Sequence, residues 1–288
     1  MAGICKTNIS LFLIIIRCKI YQNKFMINAV LGAIFGDIVG SPYEVNNTKD
    51  YNFKLFSHRS RYTDDTVLTI ATADWLNNGG MLQSYYDVYG HRYYNNACGF
   101  GKGFTKWLEL DEKVPYESDG NGSAMRVSPV GCFCDTVDEA VDLAQKTAIC
   151  THNSPDGIEG AKFVAAAIVM IKQGMSKDEI REKLSAMFSY DLSMGYDEVK
   201  SEYGWKYGAT NRGTVPFAFI CFYESADFID AIRKAVSLGG DSDTIGAICG
   251  SMAGAFYGIP DKYMKEVYSR IPKEFIEVIS RFALTVKK

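Results

Sequence analysis

The stretch Ser237–Gly258 reads SLGGDSDTIGAICGSMAGAFYG, and the rest of the chain is organised around it. Gly239 and Gly240 precede Asp241, Ser242, Asp243 and Thr244. An apolar helical pattern follows through Ile245, Ile248, Met252 and Phe256, with small residues between. Paired glycines mark a tight turn, and the acids mark a helix N-terminus. Unpaired N–H groups and the helix dipole favour a carboxylate there, so capping alone accounts for one aspartate. Two aspartates and a threonine side by side exceed what capping requires. Three oxygen donors on one rigid helix start suit a hard divalent cation such as Mg²⁺ or Mn²⁺.

A second stretch makes the same offer. Arg61–Thr66 reads RYTDDT and runs into the helical pattern Val67–Leu76. Thr63 can cap, with Asp64 and Asp65 in the first turn. Taken alone, TDDT is a weak signal. Two acidic helix starts far apart in sequence repel each other unless they are separated in space or joined by cations. Oxygen donors with no suitably placed Cys or His point to a dinuclear, oxygen-ligated site rather than to zinc.

Composition bounds the rest. The 288 residues are 47% hydrophobic and 23% charged, ordinary for a globular chain. A net charge of −3 implies no basic surface and no bulk nucleic-acid binding. The eight cysteines form no CxxC pair, which fits a reducing, cytoplasmic compartment. Cys132 and Cys134 read as alternating core and surface positions. Leu11–Ile16 is apolar but too short to span a bilayer, and no small-residue cleavage site follows it. Residues 1–25 therefore read as an appendage, and residues 26–288 as one domain with no membrane partner.

Along that domain, helical patterns occupy Ile27–Val39, Asp65–Leu76, Leu82–Tyr94, Phe104–Leu110, Ile158–Lys172, Thr214–Tyr223, Asp227–Ser237 and Asp241–Tyr257. Capping boxes at Thr136 and Ser176 open two more, and Asp261–Arg270 and Lys273–Leu284 close the chain. Gly32 and Gly36 inside the first helix suggest close helix packing, since each costs about 1 kcal/mol relative to Ala. The break Gly40-Ser41-Pro42 puts Glu44 on a loop, and residues 45–62 read as a mobile flap. The tyrosines of 82–94 read as packing. Residues 120–126, GNGSAMR, have the composition of a phosphate-cradling nest or of a plain turn. His152 precedes a helix and reads first as a structural histidine. Residues 189–213 read as loop. No period-2 alternation or βαβ spacing occurs. The expected fold is all-α, about ten helices in a single compact domain, with a dinuclear metal cleft among glycine-rich loops.

Five stretches together resemble the ADP-ribosylglycohydrolases of the dinitrogen-reductase-activating type. They are GDIVGSPYE (36–44), YTDDT (62–66), GNGSAMRVSPVG (120–131), THNSPDGIEGA (151–161) and GGDSDTIGAICGSMAGAFYG (239–258). The resemblance spans roughly Met26–Leu284. It implies two divalent cations, Mg²⁺ or Mn²⁺, held by Thr63, Asp64, Asp65, Asp241, Asp243 and Thr244, with Asp243 bridging. It implies an ADP-ribose-binding loop containing Asn121, Gly122, Ser123 and Met125, and a ribose- or phosphate-side contact from His152. Glu44 would be the acid nearest the scissile linkage, acting with the metal-site carboxylates Asp65 and Asp243. Asp37 would support the site from behind. The implied activity is hydrolysis of the N- or O-glycosidic bond at the anomeric carbon of ADP-ribose, releasing a protein side chain or a small-molecule acceptor. A monomer is expected. The rivals are a non-catalytic ADP-ribose-binding module, an immunity protein reversing a toxin's ADP-ribosylation, and a dinuclear-metal phosphoesterase.

Overall fold

The computed structural model describes residues 27–95 and 99–286. The expected appendage, residues 1–25, lies outside the described residues. Among the described residues the chain is all helix and loop, with one isolated bridge between Gly120 and Thr210.

Two helices form the axis of the domain. Helix α1 (Asn28–Gly40) is buried along its whole length. It packs against a helix near the other end of the sequence, Ser242–Tyr257, which is buried from Ser242 to Gly254. The seam between them is glycine on both sides. A Cβ on Gly246 would lie 2.7 Å from the Gly36 carbonyl oxygen, and one on Gly250 would strike the carbonyl of Gly32. Gly254 meets Asn28, and Gly40 meets Ser242 and Asp243. Rising numbers on one helix meet falling numbers on the other, so the pair is antiparallel. The helical cost of the glycines is offset by backbone contact that no side chain would permit.

The other helices wrap this pair. In chain order they are α2 (Asp64–Asn78), α3 (Leu82–Tyr93), α4 (Lys102–Leu108), α5 (Gly122–Met125), α6 (Ser128–Phe133), α7 (Val137–Ala148), α8 (Pro155–Lys172), α9 (Lys177–Met187), α10 (Tyr196–Glu202), α11 (Asn211–Tyr223), α12 (Phe228–Val236), α13 (the Ser242–Tyr257 helix), α14 (Asp261–Arg270) and α15 (Lys273–Thr285). Helices α8, α11 and α12 pack on α13, while α2 lies against α1, α3 and α15. Tyr86, Tyr89 and Tyr93 are buried, so the tyrosines of α3 are largely packing, as their spacing predicts.

Three local expectations change. The segment 189–213 contains α10 and a 3₁₀ turn at Trp205–Tyr207, and α11 begins at Asn211. Short helices with few apolar residues are set by tertiary contacts, which periodicity cannot register. Cys132 and Cys134 are both buried, because α6 ends between them and the chain turns Phe133 outward. The loop 45–62 is fastened rather than free. The Asn47 amide bonds the carbonyls of Tyr43 and Gly240, Lys49 Nζ bonds the Leu238 and Tyr203 carbonyls, and Phe53 and Leu55 are buried. Its polar residues are the fasteners, which is why composition alone suggests mobility.

Candidate active site

The antiparallel glycine seam carries the C-terminal end of α1 to the N-terminus of α13. Asp37, Glu44, Asp241 and Asp243 thereby converge. Gly239 (φ 76°) and Gly240 (φ 69°) take the left-handed conformation that sharpens the turn into α13. Asp241 stands at the N-cap, yet its side chain makes no capping bond. Its Oδ2 instead accepts from Asn121 Nδ2 at 2.7 Å, and the same amide donates to Thr214 Oγ1 at 3.0 Å. Capping therefore does not explain Asp241.

Thr63 does cap, accepting from the Asp65 backbone N–H at 3.3 Å. Asp37 holds this helix start from behind. Its carboxylate accepts from Thr63 N (3.0 Å), Thr63 Oγ1 (2.8 Å) and Thr66 N (3.1 Å), and from the Thr66 hydroxyl. Complete burial raises its pKa to about 6 against those donors. Asp65 is 3% exposed; its Oδ2 accepts from Thr244 Oγ1 at 3.2 Å, while Oδ1 is buried with no partner. Thr244 N donates to Asp243 Oδ1 at 3.0 Å.

These groups open on a cavity of about 290 Å³ lined by Glu44, Asp64, Asp65, Asp241, Asp243 and Thr244, together with Asn121, Gly122, Met125 and His152. Burial, then neighbouring carboxylates, push Asp64, Asp65 and Asp243 well above the usual carboxylate range. Glu44 is raised by burial and by Asp241 and Asp37, with Arg61 opposing. So many acids facing one another in low dielectric are poorly neutralised by the protein itself. The orphaned Asp65 Oδ1 and the all-oxygen donor set fit a hard divalent cation. Carboxylate oxygens of Glu44, Asp241 and Asp243 lie within 4.8 Å of one another, close enough to share an ion.

The structure thus brings together most of the residues singled out in the sequence, with two differences in arrangement. Glu44, expected apart from the acidic cluster, sits within it. Thr63 and Ser123 do not line the cavity. The Thr63 hydroxyl is spent on Asp37. Ser123, fully buried, donates to the Gly157 carbonyl at 2.6 Å and accepts from Asn211 Nδ2 at 3.0 Å.

Sequence reading passed over the rest of the lining. Gly99, Gly101, Gly103, Phe104, Tyr116, Ser118 and Ala209 also face the cavity, while Arg126, the last residue of the GNGSAMR stretch, borders it. Gly99, Gly101 and Gly103 cluster in the sequence and were the available signal. His152 lies against the loop: a Cβ on Gly122 would stand 3.0 Å from its Nε2. Burial and the nearby Arg126 charge hold its pKa well below the ordinary imidazole value, so the ring is neutral.

An all-α fold with a buried acidic cleft at paired helix starts defines the class of protein. The particular family follows from comparison: the chain belongs to the ADP-ribosylglycohydrolase family, which it matches over residues 20–287. Membership makes it a glycosidic-bond hydrolase of the ADP-ribosyl class. It is 32% identical to an uncharacterized protein of Archaeoglobus fulgidus, covering 90% of this chain and 95% of that one. It is 27% identical to the ADP-ribosylhydrolase ARH3 of Mus musculus over 79% of this chain and 82% of the relative. It is 25% identical to the ADP-ribosylarginine hydrolase Tri1 of Pseudomonas putida over 88% and 73%. Among solved structures, an ADP-ribosylglycohydrolase-related protein complex shares the fold, with a TM-score of 0.73 at 22% identity over 92% of this chain and 99% of that one. Among the described residues no helix is long and apolar enough to cross a membrane.

Proposed function

We propose that this protein is a divalent-metal-dependent hydrolase that cleaves the N- or O-glycosidic bond between the anomeric carbon of ADP-ribose and an acceptor. The acceptor is a protein side chain or a small-molecule conjugate. The observation that carries the reading is the single cavity in which Glu44, Asp64, Asp65, Asp241 and Asp243 meet a glycine-rich loop.

Asp64, Asp65, Asp241, Asp243 and Thr244, which line the cavity, are the residues proposed to hold two cations, Mg²⁺ or Mn²⁺; Thr63, behind them, would join only through an oxygen lone pair left over from its bond to Asp37. Bound there, divalent cations lower the pKa of a water and orient ribose hydroxyls. The chain's own groups do the remaining work. Asn121 fixes the rotamer of Asp241, and Asp37 fixes the start of α2. Gly120 and Gly122, lacking Cβ atoms, let the diphosphate or ribose approach the backbone between Asn121 and Met125. His152 offers a ring edge at the same loop. Ser123 acts indirectly, holding that loop to α8. Glu44, half-buried with a raised pKa, transfers the proton to or from the acceptor side as the glycosidic bond breaks.

The acceptor of Tri1, named for arginine, is one member of the substrate panel to test, with serine-linked and ester-linked ADP-ribose as the others. Incubating the purified protein with each conjugate, with and without EDTA, tests the reading. Release of intact ADP-ribose, abolished by chelation, is expected. Release of phosphate or AMP would favour a phosphoesterase. Binding of ADP-ribose without turnover on every conjugate would favour a non-catalytic module.

A further inference from the structure

Arg126 is the largest charged side chain in the interior, and its partners are all neutral. It is 0% exposed, and its Nε and Nη1 have neither a hydrogen-bond partner nor solvent contact. One face of the guanidinium lies 4.1 Å from the centroid of the Tyr86 ring. Nη2 donates to the Thr147 carbonyl at 3.2 Å and to Thr151 Oγ1 at 2.7 Å. Buried, unpaired cations are costly, so a residue placed this way calls for a reason beyond packing. Arg126 borders the cavity, but it is fully buried, with Nε and Nη1 out of solvent contact and Nη2 engaged by Thr147 and Thr151, so it acts on a ligand through a neighbour.

The reason lies one bond further on. Thr151 Oγ1 is 2.7 Å from His152 Nδ1. A guanidinium only donates, so the hydroxyl oxygen accepts from Arg126, which leaves its own proton free to point onward. The ring nitrogen within its reach is Nδ1. A neutral imidazole that accepts at Nδ1 carries its proton at Nε2, the edge lying against Gly120 and Gly122. Lys at this position would supply the charge without the planar fork that fixes the hydroxyl.

We propose that Arg126 is a positioning residue. Acting through Thr151, it locks His152 as the Nε2–H tautomer, so that the ring presents one fixed donor to the ligand at the Gly120–Gly122 loop. The ligand half of this inference rests on the reading of His152 given above; the tautomer half does not.

The test is long-range ¹H–¹⁵N correlation spectroscopy of the ligand-free full chain. The sequence has three histidines, and His152→Gln identifies the signal. The wild-type protein is expected to show one tautomer, Nε2–H. Thr151→Val should populate both tautomers, and Thr151→Ser should restore one. Arg126→Lys should give a mixture with the hydroxyl still present. ADP-ribose titrated into Thr151→Val should bind more weakly by the reciprocal of the fraction left as Nε2–H, about twofold for an even mixture. A wild-type spectrum showing Nδ1–H overturns the relay whether or not the variants fold. So does a Thr151→Val spectrum unchanged from wild type. A shifted tautomer with unchanged ADP-ribose affinity supports the relay and overturns the ligand contact of His152.

Discussion

Replacing Gly246 with Ala should damage catalysis far more than stability. Gly246 lies one turn after Asp243, on the face of α13 that meets α1 beside Asp37. The added Cβ would stand 2.7 Å from the Gly36 carbonyl oxygen and 3.1 Å from its carbon. Ordinary contact begins at 3.4 Å, so 3.4 − 2.7 = 0.7 Å of separation is needed between the two helices. Both partners are backbone, so no side chain can swing aside. Overpacking of this kind costs about 1–3 kcal/mol. Ala in place of Gly inside a helix returns about 1 kcal/mol. The net loss is then about 1 kcal/mol, a fall in melting temperature of about 2–4 °C for a domain this size. The same displacement moves Asp241 and Asp243 relative to Asp37 and Glu44. Misplacement by about 1 Å can cost about 10²-fold in rate, so ADP-ribose release should fall about 10- to 100-fold. Thermal melts beside a turnover assay measure both quantities. Gly204→Ala, with nothing within 4 Å of its Cβ, is the control and should change neither. Gly36→Ala, whose Cβ would meet the Gly246 carbonyl more closely and lie 2.8 Å from Ala247 N, should be worse on both counts. A Gly246→Ala enzyme within twofold of wild-type turnover would refute the claim that the seam sets the acids.

Three further outcomes are expected. Chelation by EDTA should abolish hydrolysis, with Mg²⁺ or Mn²⁺ restoring it, and Asp243→Asn should be the most damaging single change among the acids; full activity in a metal-stripped sample would sink the cation site. Glu44→Gln should lower turnover about 10²–10⁴-fold while ADP-ribose affinity and metal content hold. Loss of metal in that variant, which its proximity to Asp241 and Asp243 makes the sharpest alternative, would make Glu44 a ligand instead. A chain starting at Met26 should melt and turn over like the full chain; because the family match reaches back to residue 20, a clear drop in melting temperature would show that the preceding residues pack on the core.

The sequence by itself determined the helical class and the identity of the acids. Helix periodicity, capping residues and the GDSDT and TDDT motifs are local features, and local features are legible without a structure. Even the glycine spacing of α1 announced a close partner, though not which one. Tertiary structure decided the relations between distant residues. It paired α1 with α13 in antiparallel register and so drew Glu44 in among Asp241 and Asp243. It turned Asn121 onto Asp241, Thr63 onto Asp37 and Ser123 onto Gly157, and it sealed Arg126 behind Thr151 and His152. Apart from the Thr151–His152 contact, these hydrogen bonds join residues some 25 to 120 positions apart and leave no periodicity in a single chain. Whether a polar side chain faces a ligand or holds its neighbour depends on which backbone the fold packs beside it, and only packing specifies that.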